Sequence, residues 1–377
     1  MVSIGFVYFC SVIKNNYELQ NDGTMKNILS KRTFIVLPLF LFSLHPLWGQ
    51  KSNFKNDICI PGKLYMLSDI RNDVFVEALI KRWRPYNDFV RFSGDCVYSR
   101  KLNRVASVDT PVDGSNMKIE LVNSDEFETI KEKAISICVG KKGIGTQEVT
   151  VQILGDSFVN GAFFRDALLS KNYIPGIKLV GLRNIKNEEG QYDEGRGGWT
   201  VKKYFEIPKG EMTSYHGYMQ PVGEYRYWGS CEFWKNCYKV INGELTDTEI
   251  VYNCGRYDQC ITKFDKETGY LAAPKKNDLM YDNARGSYMV YTGKKWKNVE
   301  VDERKWAFNY RKYLDMWNLD APKFFAQMLG LNDYRDSLTA DYREWNKKIA
   351  EMKESYYKAV PDGKFIILIP CTTCGSL

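Results

Sequence analysis

Histidine is the residue type that this sequence has least of, with two among 377 residues. His45 lies in an apolar N-terminal segment, and His216 follows the tripeptide Thr213-Ser-Tyr. Histidine is the most frequent general base and a common zinc ligand. With so few histidines, the chain has few candidate residues for general base catalysis or for a zinc site.

The cysteines do not make up for the shortage of histidine as metal ligands. Four of the ten cysteines lie in two similar pairs, Cys231/Cys237 and Cys254/Cys260. Their Cys-x5-Cys spacing is not usual for zinc, and no histidine lies close by. Disulfides are permitted in an exported protein, and the sequence allows several connectivities without choosing among them.

Long runs of basic residues are also absent. The chain has 53 Lys and Arg against 46 Asp and Glu, and its net charge of +7 is spread along the sequence. This distribution indicates a solvated surface and argues against a nucleic acid partner. Hydrophobic residues make up 44% of the chain, which is ample core material for a globular protein of two to three domains.

No hydrophobic run is long enough for a comfortable transmembrane helix, because Pro38 and Pro46 interrupt the apolar stretch Thr33–Trp48. A basic segment, Met25–Arg32, precedes this stretch. Residues 1–49 therefore predict a leader with a cleavable signal peptide that begins near the basic segment. Cleavage would give a secreted or periplasmic protein with no stable membrane partner; a retained membrane anchor is the alternative.

Residues 57–147 alternate short apolar runs with turn signals, a pattern typical of a β-sandwich. The predicted strands are Lys63–Leu67, Phe89–Phe92, Met117–Val122 and Ala134–Val139. Such a domain could bind or position a glycan, or it could be a structural appendage, and the sequence does not favour the first.

The stretch Val149–Ser157 predicts a buried strand that breaks at Gly155 and turns into a helix after Asp156 and Ser157. This geometry places the Ser157 hydroxyl at the carboxyl end of a sheet, where open α/β sheets carry their chemistry. The alternative is an ordinary turn in which Asp156 or Ser157 caps the helix.

Two later segments favour a functional site. Glu194–Thr200 is a loop rich in glycine, including Gly198, and such loops let backbone N–H groups approach a ligand. Phe324–Leu329 predicts another strand, followed by Gly330-Leu-Asn-Asp333. Asn332 is therefore expected at the same sheet edge as Ser157.

In this order, Gly155-Asp156-Ser157, the Gly198-Trp-Thr loop and Gly330-Leu-Asn332-Asp333 resemble blocks I, II and III of the SGNH (GDSL-type) hydrolases. The resemblance implies a flavodoxin-like three-layer α/β/α domain over residues 148–377. It also implies that Ser157 is the nucleophile, and that the backbone N–H groups of Ser157 and Gly198 and the Asn332 amide form the oxyanion hole. In this reading Gly155, Asp156, Gly330 and Asp333 support those groups.

The amino-acid sequence of the glycine loop, Glu194–Thr200, looks most like that of the carbohydrate-esterase branch of the family. It implies a secreted serine esterase that removes acyl groups, acetyl above all, from an acylated carbohydrate or other small ester, without a metal or organic cofactor. The family's Asp-x-x-His block does not occur in these residues, so the hydrolase domain is expected to be incomplete at its C-terminus. His216 is an alternative base within the chain, in place of the family's histidine, but the sequence does not favour it. The alternative is a catalytically silent glycan-binding or scaffold protein that keeps the esterase fold.

Residues 205–318 separate the second block from the third and form a predicted, partly β insertion that ends in a helix over Trp306–Trp317. Its aromatic residues could stack on sugars or form a core, and the core is favoured. These aromatics are Tyr215, Tyr218, Tyr225, Tyr227, Trp228, Phe233, Trp234 and Tyr238. The insertion is expected to lie over the edge of the sheet that carries Ser157. A helix over Ala340–Ala359 and a strand over Lys364–Ile369 are predicted after it.

Overall fold

A computed structural model describes residues from 57 to 368. The described ranges are 57–58, 62–68, 70–75, 79–81, 88–94, 97–100, 105–123, 127–140, 148–161, 163–170, 176–183, 192–210, 215–241, 260–334 and 342–368. The predicted leader and signal peptide lie outside these residues. No helix in the described ranges is long and apolar enough to cross a bilayer.

The described residues between 57 and 140 contain nine strands. They are β1 (Asp57–Ile58), β2 (Lys63–Leu67), β3 (Asn72–Phe75), β4 (Ile80–Lys81), β5 (Asp88–Gly94), β6 (Val97–Arg100), β7 (Val105–Val108), β8 (Asn116–Asn123) and β9 (Thr129–Gly140). The four strands predicted from the sequence are all present, as β2 and within β5, β8 and β9.

These strands form a four-stranded sheet in the order β2-β9-β8-β5, a three-stranded sheet in the order β3-β7-β6, and the pair β1-β4. Residues of both larger sheets, such as Ile119 on β8 and Val108 on β7, belong to one buried apolar cluster. The short apolar runs that predicted the strands therefore pack two sheets onto one core.

The second region begins with β10 (Val149–Gly155). Its further strands are β11 (Ile177–Leu179), β12 (Glu194–Gly195), β13 (Met219–Pro221), β14 (Arg226–Ser230), β15 (Asp278–Asp282), β16 (Ser287–Tyr291), β17 (Trp296–Val299), β18 (Trp306–Phe308), β19 (Phe324–Met328) and β20 (Lys364–Ile367). Its helices are α1 (Ser157–Asn160), α2 (Phe163–Ser170), α3 (Cys231–Ile241), α4 (Tyr310–Trp317), α5 (Leu331–Tyr334) and α6 (Tyr342–Ala359). Short 3-10 helices cover Lys202–Phe205, Ile261–Lys263 and Glu303–Lys305.

A parallel sheet in the order β11-β10-β19-β20 is the centre of this region, and β12 pairs in parallel with the end of β10. The chain leaves β10 toward β11 on one side and returns on the other side as β19. The carboxyl ends of β10 and β19 are therefore neighbours at a topological switch point, which is where open α/β sheets bind ligands.

The two faces of β10 have different partners, because side chains alternate along a strand. Val151 and Ile153 belong to an apolar cluster with Val159 of α1 and with Leu168, which is partly buried on α2. Gln152 and Leu154 face the other way. There the Gln152 amide donates to the Tyr313 hydroxyl at 3.0 Å and accepts from the Tyr310 hydroxyl at 2.6 Å. Helices and aromatic side chains thus cover both faces of this strand.

The interpretation of the insertion's aromatics as core is confirmed for most of them. Six side chains are buried in the same cluster as Phe325 of the sheet: Tyr215, Tyr218, Tyr227, Trp228, Phe233 and Trp234. Tyr225 and Tyr238 are partly buried against that cluster. The five rings other than Trp228 are at most 1% exposed and cannot stack on a sugar, so they stabilise the insertion on the face of the sheet.

The predicted helix over Trp306–Trp317 is wrong at its start. Trp306–Phe308 is a strand that pairs antiparallel with Met219–Pro221. The helix begins only after Asn309, whose side chain accepts a hydrogen bond from the Lys312 N–H at 3.0 Å. Local helical spacing was overridden by pairing with a strand that is distant in sequence.

Helix α6 and strand β20 lie close to their predicted ranges. The Tyr356 hydroxyl, which is buried on α6, donates toward the Pro322 carbonyl at 3.0 Å and accepts from the Lys364 N–H at 3.1 Å. A single phenol therefore fixes the helix to the amino ends of β19 and β20.

One cysteine of the two Cys-x5-Cys pairs, Cys231, forms no disulfide. Cys231 is a buried free thiol at the start of α3, and burial raises the pKa of this thiol to about 12. Cys254 lies outside the described residues.

Candidate functional site

The turn after β10 presents Ser157 at the carboxyl end of the sheet. Asp156 is the N-cap of α1, and its Oδ1 accepts from the Phe158 N–H at 3.1 Å. Ser157 is partly exposed, and its hydroxyl makes no hydrogen bond with the described residues. Asp156 is therefore the residue that caps the helix, as in the alternative interpretation of this turn. Because Asp156 is the cap, the Ser157 hydroxyl is not used for capping.

Asn332 meets the same turn from the neighbouring strand. After β19 the chain passes through Gly330, whose φ of 131° is accessible to glycine, and enters α5. The Asn332 Nδ2 atom donates to the Trp199 carbonyl at 3.1 Å and toward Asp156 Oδ2 at 3.4 Å. The three segments singled out in the sequence therefore meet at one edge of the sheet.

Asp333 holds the glycine loop in position. Its two carboxylate oxygens accept from the Val201 N–H at 3.0 and 3.2 Å. Gly198 lies in this loop, exposed, with a left-handed φ of 71°. No hydrogen bond joins the N–H of Gly198 or of Ser157 to the residues that the structure describes, so both donors are open to a ligand.

The Asn332 amide is engaged in a way that bears on any oxyanion hole. Both hydrogen bonds of Nδ2 go to protein acceptors, Trp199 and Asp156. To receive an oxyanion, this amide must release one of them, and the contact of 3.4 Å with Asp156 is the weaker. The position of the Asp156 carboxyl is therefore coupled to the donor that Asn332 can offer.

The electrostatics of this edge raise the pKa of Asp156. Burial raises it to about 6, and the charge of Asp333 adds to the rise, whereas the hydrogen bond from the Phe158 N–H opposes it. Burial also raises the pKa of Asp333, against the hydrogen bond from Val201. Two acidic groups thus share one partly dry edge, where adding a second negative charge costs free energy.

Asp156→Asn is expected to remove a pH-dependent loss of stability. The folded pKa of about 6 lies above the unfolded value, which is about 4. The folded state therefore binds more protons than the unfolded state between these values, and the free energy of unfolding falls as pH rises through this window. At alkaline pH the variant should be more stable than the wild type by about 1 kcal/mol or more, with little difference at acid pH.

Urea unfolding of both proteins on each side of this window measures the effect. The asparagine keeps a carbonyl acceptor for the Phe158 N–H but loses the acceptor of the Asn332 amide. That loss does not depend on the charge of residue 156, so the change of the stability difference with pH reports the charge. A stability difference that does not change with pH would contradict the raised pKa of Asp156.

Sequence reasoning missed a buried ionic network directly behind the turn. The Glu194 carboxylate is fully buried and accepts from Arg196 Nη1 at 2.8 Å, the Leu182 N–H at 2.7 Å and the Tyr313 hydroxyl at 2.7 Å. The Arg196 guanidinium lies over the Trp199 ring, 5.2 Å from its centroid. Charged residues in a glycine-rich loop usually indicate solvated surface, so the sequence held little signal for their burial.

The same network touches the turn itself. The Arg196 N–H donates to the Gly155 carbonyl at 2.9 Å, and the Tyr204 hydroxyl lies 2.7 Å from that carbonyl and 2.7 Å from the carbonyl of Glu194. The backbone that precedes Ser157 is therefore fixed by residues of the second segment.

His216 has a structural position. It is 1% exposed, its Nε2 lies 3.0 Å from the Glu206 carbonyl, and its Nδ1 accepts from the Tyr218 N–H at 3.2 Å. Burial, and then the charge of Arg196, lower its pKa to about 3. Both ring nitrogens are occupied by backbone groups, so this arrangement does not offer Ser157 a base. The ring packs edge-on behind Trp199, at 5.7 Å between centroids.

Gly195→Ala is expected to destabilise the protein by about 1 to 3 kcal/mol, because the added methyl group overpacks a tight contact. A Cβ at Gly195 would lie 2.2 Å from the Asn160 nitrogen and 2.6 Å from the Val159 carbonyl carbon, both of them backbone atoms of α1. Thermal or urea unfolding measures the loss. Gly62→Ala is the matched control, since nothing lies within 4 Å of its Cβ position. Equal stabilities for the two variants would show that α1 yields to the methyl group.

No cluster of three or more metal-ligating side chains occurs within the described part of the chain. The groups open to a ligand at this edge are a serine hydroxyl and two backbone N–H donors, and the Asn332 carboxamide could join them by releasing Asp156. Together these can hold and attack a polarised carbonyl group.

Comparison with known proteins gives little for this chain. No family model and no curated protein matches the sequence. One similar solved structure is a candidate alpha-galactosidase from Bacteroides fragilis NCTC 9343, 12% identical with a TM-score of 0.19, where the match covers 33% of this chain and 28% of that one. Another is a candidate alpha-galactosidase/melibiase from the same strain, 8% identical with a TM-score of 0.21, covering 83% and 52%. The chain thus spans about half or less of either structure, and likeness at these scores carries no argument about fold or function.

Proposed function

We propose that this protein is a serine esterase of the SGNH type that removes small acyl groups, acetyl above all, from carbohydrate esters. The observation that carries the proposal is the meeting of Ser157, the Gly198 loop and Asn332 at one edge of a parallel sheet. The three segments are far apart in sequence, so their convergence is independent of the resemblance from which each was singled out.

The fold assignment that goes with this proposal is a flavodoxin-like three-layer domain. Its support is the sheet order, in which the first strand, β10, is flanked by the second parallel strand on one side and by β19 and β20 on the other. Flavodoxin-like sheets have this order, with their ligand at the same switch point. We further propose that the protein is exported, on the strength of the leader pattern in residues 1–49.

In the proposed reaction the Ser157 Oγ attacks the acyl carbonyl carbon while its proton passes to a base. The carbonyl oxygen becomes an oxyanion that the Ser157 and Gly198 N–H groups and the Asn332 amide stabilise. The sugar alkoxide leaves with a proton, and water then hydrolyses the acyl-serine and releases the acid. Both ring nitrogens of His216 contact backbone groups, so no histidine of the described residues is open to take this proton.

The test is acetate release from acetylated oligosaccharides, beside hydrolysis of p-nitrophenyl acetate. It compares the 377-residue chain with its Ser157→Ala variant. Turnover that disappears in Ser157→Ala supports the proposal. Turnover that survives the loss of Ser157, or no turnover by the unsubstituted chain, overturns it.

Asn332→Ala is expected to lower kcat by about 10²-fold with a small change in KM, because an oxyanion donor acts on the transition state rather than on the bound ester. Steady-state hydrolysis of p-nitrophenyl acetate measures both constants. Asn298→Ala is the control, since Asn298 is exposed on the remote strand β17. An equal loss in both variants, or a loss confined to KM, would remove Asn332 from the oxyanion hole.

A second candidate function is a glycan-binding or scaffold protein that keeps this fold without catalysis. The observation that favours it is the position of His216, whose nitrogens are committed to the Glu206 carbonyl and the Tyr218 N–H. Saturable binding of acetylated oligosaccharides without acetate release, unchanged in Ser157→Ala, would select this function.

A further inference from the structure

The insertion contains a cleft that the proposed esterase chemistry does not use. It has a volume of about 400 Å³ and is lined by β14, the turn 271–275 and the end of α4. Small-ligand pockets in proteins commonly have volumes of about 300 to 1,000 Å³. We call it the Trp228 cleft, after the tryptophan that lines it together with Leu271, Met316, Arg226, Lys263 and Lys275.

The Trp228 cleft lies at the opposite end of the sheet from Ser157. Met316 belongs to the last turn of α4, and the chain then runs through residues 318–323 into the amino end of β19. The Asp320 carboxylate in that connection bonds Lys178 of β11 at 2.6 Å. Ser157 follows the carboxyl end of β10, which is parallel to β19. A ligand in the cleft therefore binds at a second, separate site.

The floor of the cleft is apolar and rigid. Trp228, Leu271 and Met316 are all buried in the insertion's core, with exposures of 7%, 8% and 5%. The Trp228 indole N–H is fixed by a hydrogen bond to Asp278 Oδ1 at 2.9 Å, and its ring packs edge-on against Trp317 at 5.1 Å. A fixed apolar floor suits the C–H face of a sugar ring.

The rim of the cleft has a surplus of positive charge. Asp278 is saturated by Arg226 Nε at 2.9 Å, by the Trp228 indole and by the Lys275 N–H at 2.6 Å. Asp315 forms an ion pair with Arg311 at 2.9 Å. The ammonium groups of Lys263 and Lys275 have no ion-pair or hydrogen-bond partner among the described residues. The exposed ammonium groups of Lys263 and Lys275 thus line the cleft, while the Asp278 and Asp315 carboxylates are already paired with other groups.

We propose that the Trp228 cleft binds an acidic sugar, with the ring on the apolar floor and the carboxylate between Lys263 and Lys275. A neutral sugar would leave both ammonium groups without an anion. Inorganic phosphate would leave the apolar floor uncovered. A hexuronate satisfies both surfaces, and its binding does not depend on Ser157 or on any ester.

The test is binding of galacturonate to the full chain, measured by ligand-observed NMR or calorimetry at low salt beside galactose and inorganic phosphate. Galacturonate is expected to bind at least tenfold more tightly than either comparison ligand. Equal binding of galactose would overturn recognition of the carboxylate, and equal binding of phosphate would overturn recognition of the ring. Absence of saturable galacturonate binding would overturn the site.

Two variants locate the binding. Lys263→Ala/Lys275→Ala should raise the Kd by about fivefold to tenfold, from two exposed charge pairs. Lys294→Ala/Lys295→Ala carries the same charge change in an exposed turn and should leave the Kd unchanged. Ala273→Trp, at an exposed position of the lining, should block binding without removing charge. Unchanged affinity in the first and third variants would overturn the proposal, and Ser157→Ala with wild-type affinity would separate it from the esterase chemistry.

Discussion

Ser157→Ala is expected to lower the kcat for ester hydrolysis by about 10⁴-fold or more, to the level that the oxyanion donors alone provide. The reason is that the Ser157 Oγ is the atom that attacks the acyl carbon in the proposed reaction. Asp156 caps α1 and Asn332 is a carboxamide. Initial rates with p-nitrophenyl acetate, together with release of acetate from an acetylated oligosaccharide, measure the loss.

The same substitution should leave the fold intact, which makes the kinetic result easy to interpret. The Ser157 hydroxyl is partly exposed and holds no described residue in position. Ser93→Ala, on the exposed side of β5, is the matched control and should keep full activity. If Ser157→Ala keeps more than about a tenth of the activity, the serine is not the nucleophile.

Glu194→Ala is expected to lower the free energy of unfolding by about 3 to 5 kcal/mol, because it leaves a buried Arg196 without its counter-charge. The substitution also removes the acceptor of the Leu182 N–H and of the Tyr313 hydroxyl. Unfolding in urea followed by tryptophan fluorescence measures the loss, since the buried Trp199 ring packs against Arg196 of this network.

Glu232→Ala provides the control for that prediction. Its ion pair with Lys235 on α3 is partly exposed at 2.9 Å, and such pairs contribute less than about 1 kcal/mol. Glu194→Gln should fall between the two, because it keeps one acceptor and loses the charge. A loss below about 1 kcal/mol for Glu194→Ala would contradict the prediction. It would mean that the Arg196 guanidinium rearranges to another partner in the variant.

The elements that could be predicted from the sequence are those whose signal is local. Short apolar runs between turn signals located β2 and β8, and the strand before Gly155 followed from its own composition. The meeting of Ser157 and Asn332 could also be expected, because both follow strands of one parallel sheet.

The missed features depend on partners that are distant in sequence. Glu194 and Arg196 are buried because Tyr313 and the Tyr215 carbonyl, far along the chain, close over them. Trp306–Phe308 is extended because Met219–Pro221 pairs with it. Local composition contains neither partner, so the burial of Glu194 and Arg196 was missed and Trp306–Phe308 was predicted as part of a helix.

The pairing of β10 with β19 has a consequence for how the chain acquires its structure. Val151 pairs with Phe324, so the centre of the sheet closes only after the whole insertion has been synthesised. Until then one edge of β10 is an unpaired apolar strand, and closing so long a loop costs conformational entropy. The insertion's aromatic core, once collapsed, shortens that loop by bringing α4 against Gln152. We therefore expect the insertion's core to form before the centre of the sheet closes, and variants that weaken this core to aggregate during synthesis before they lose stability at equilibrium.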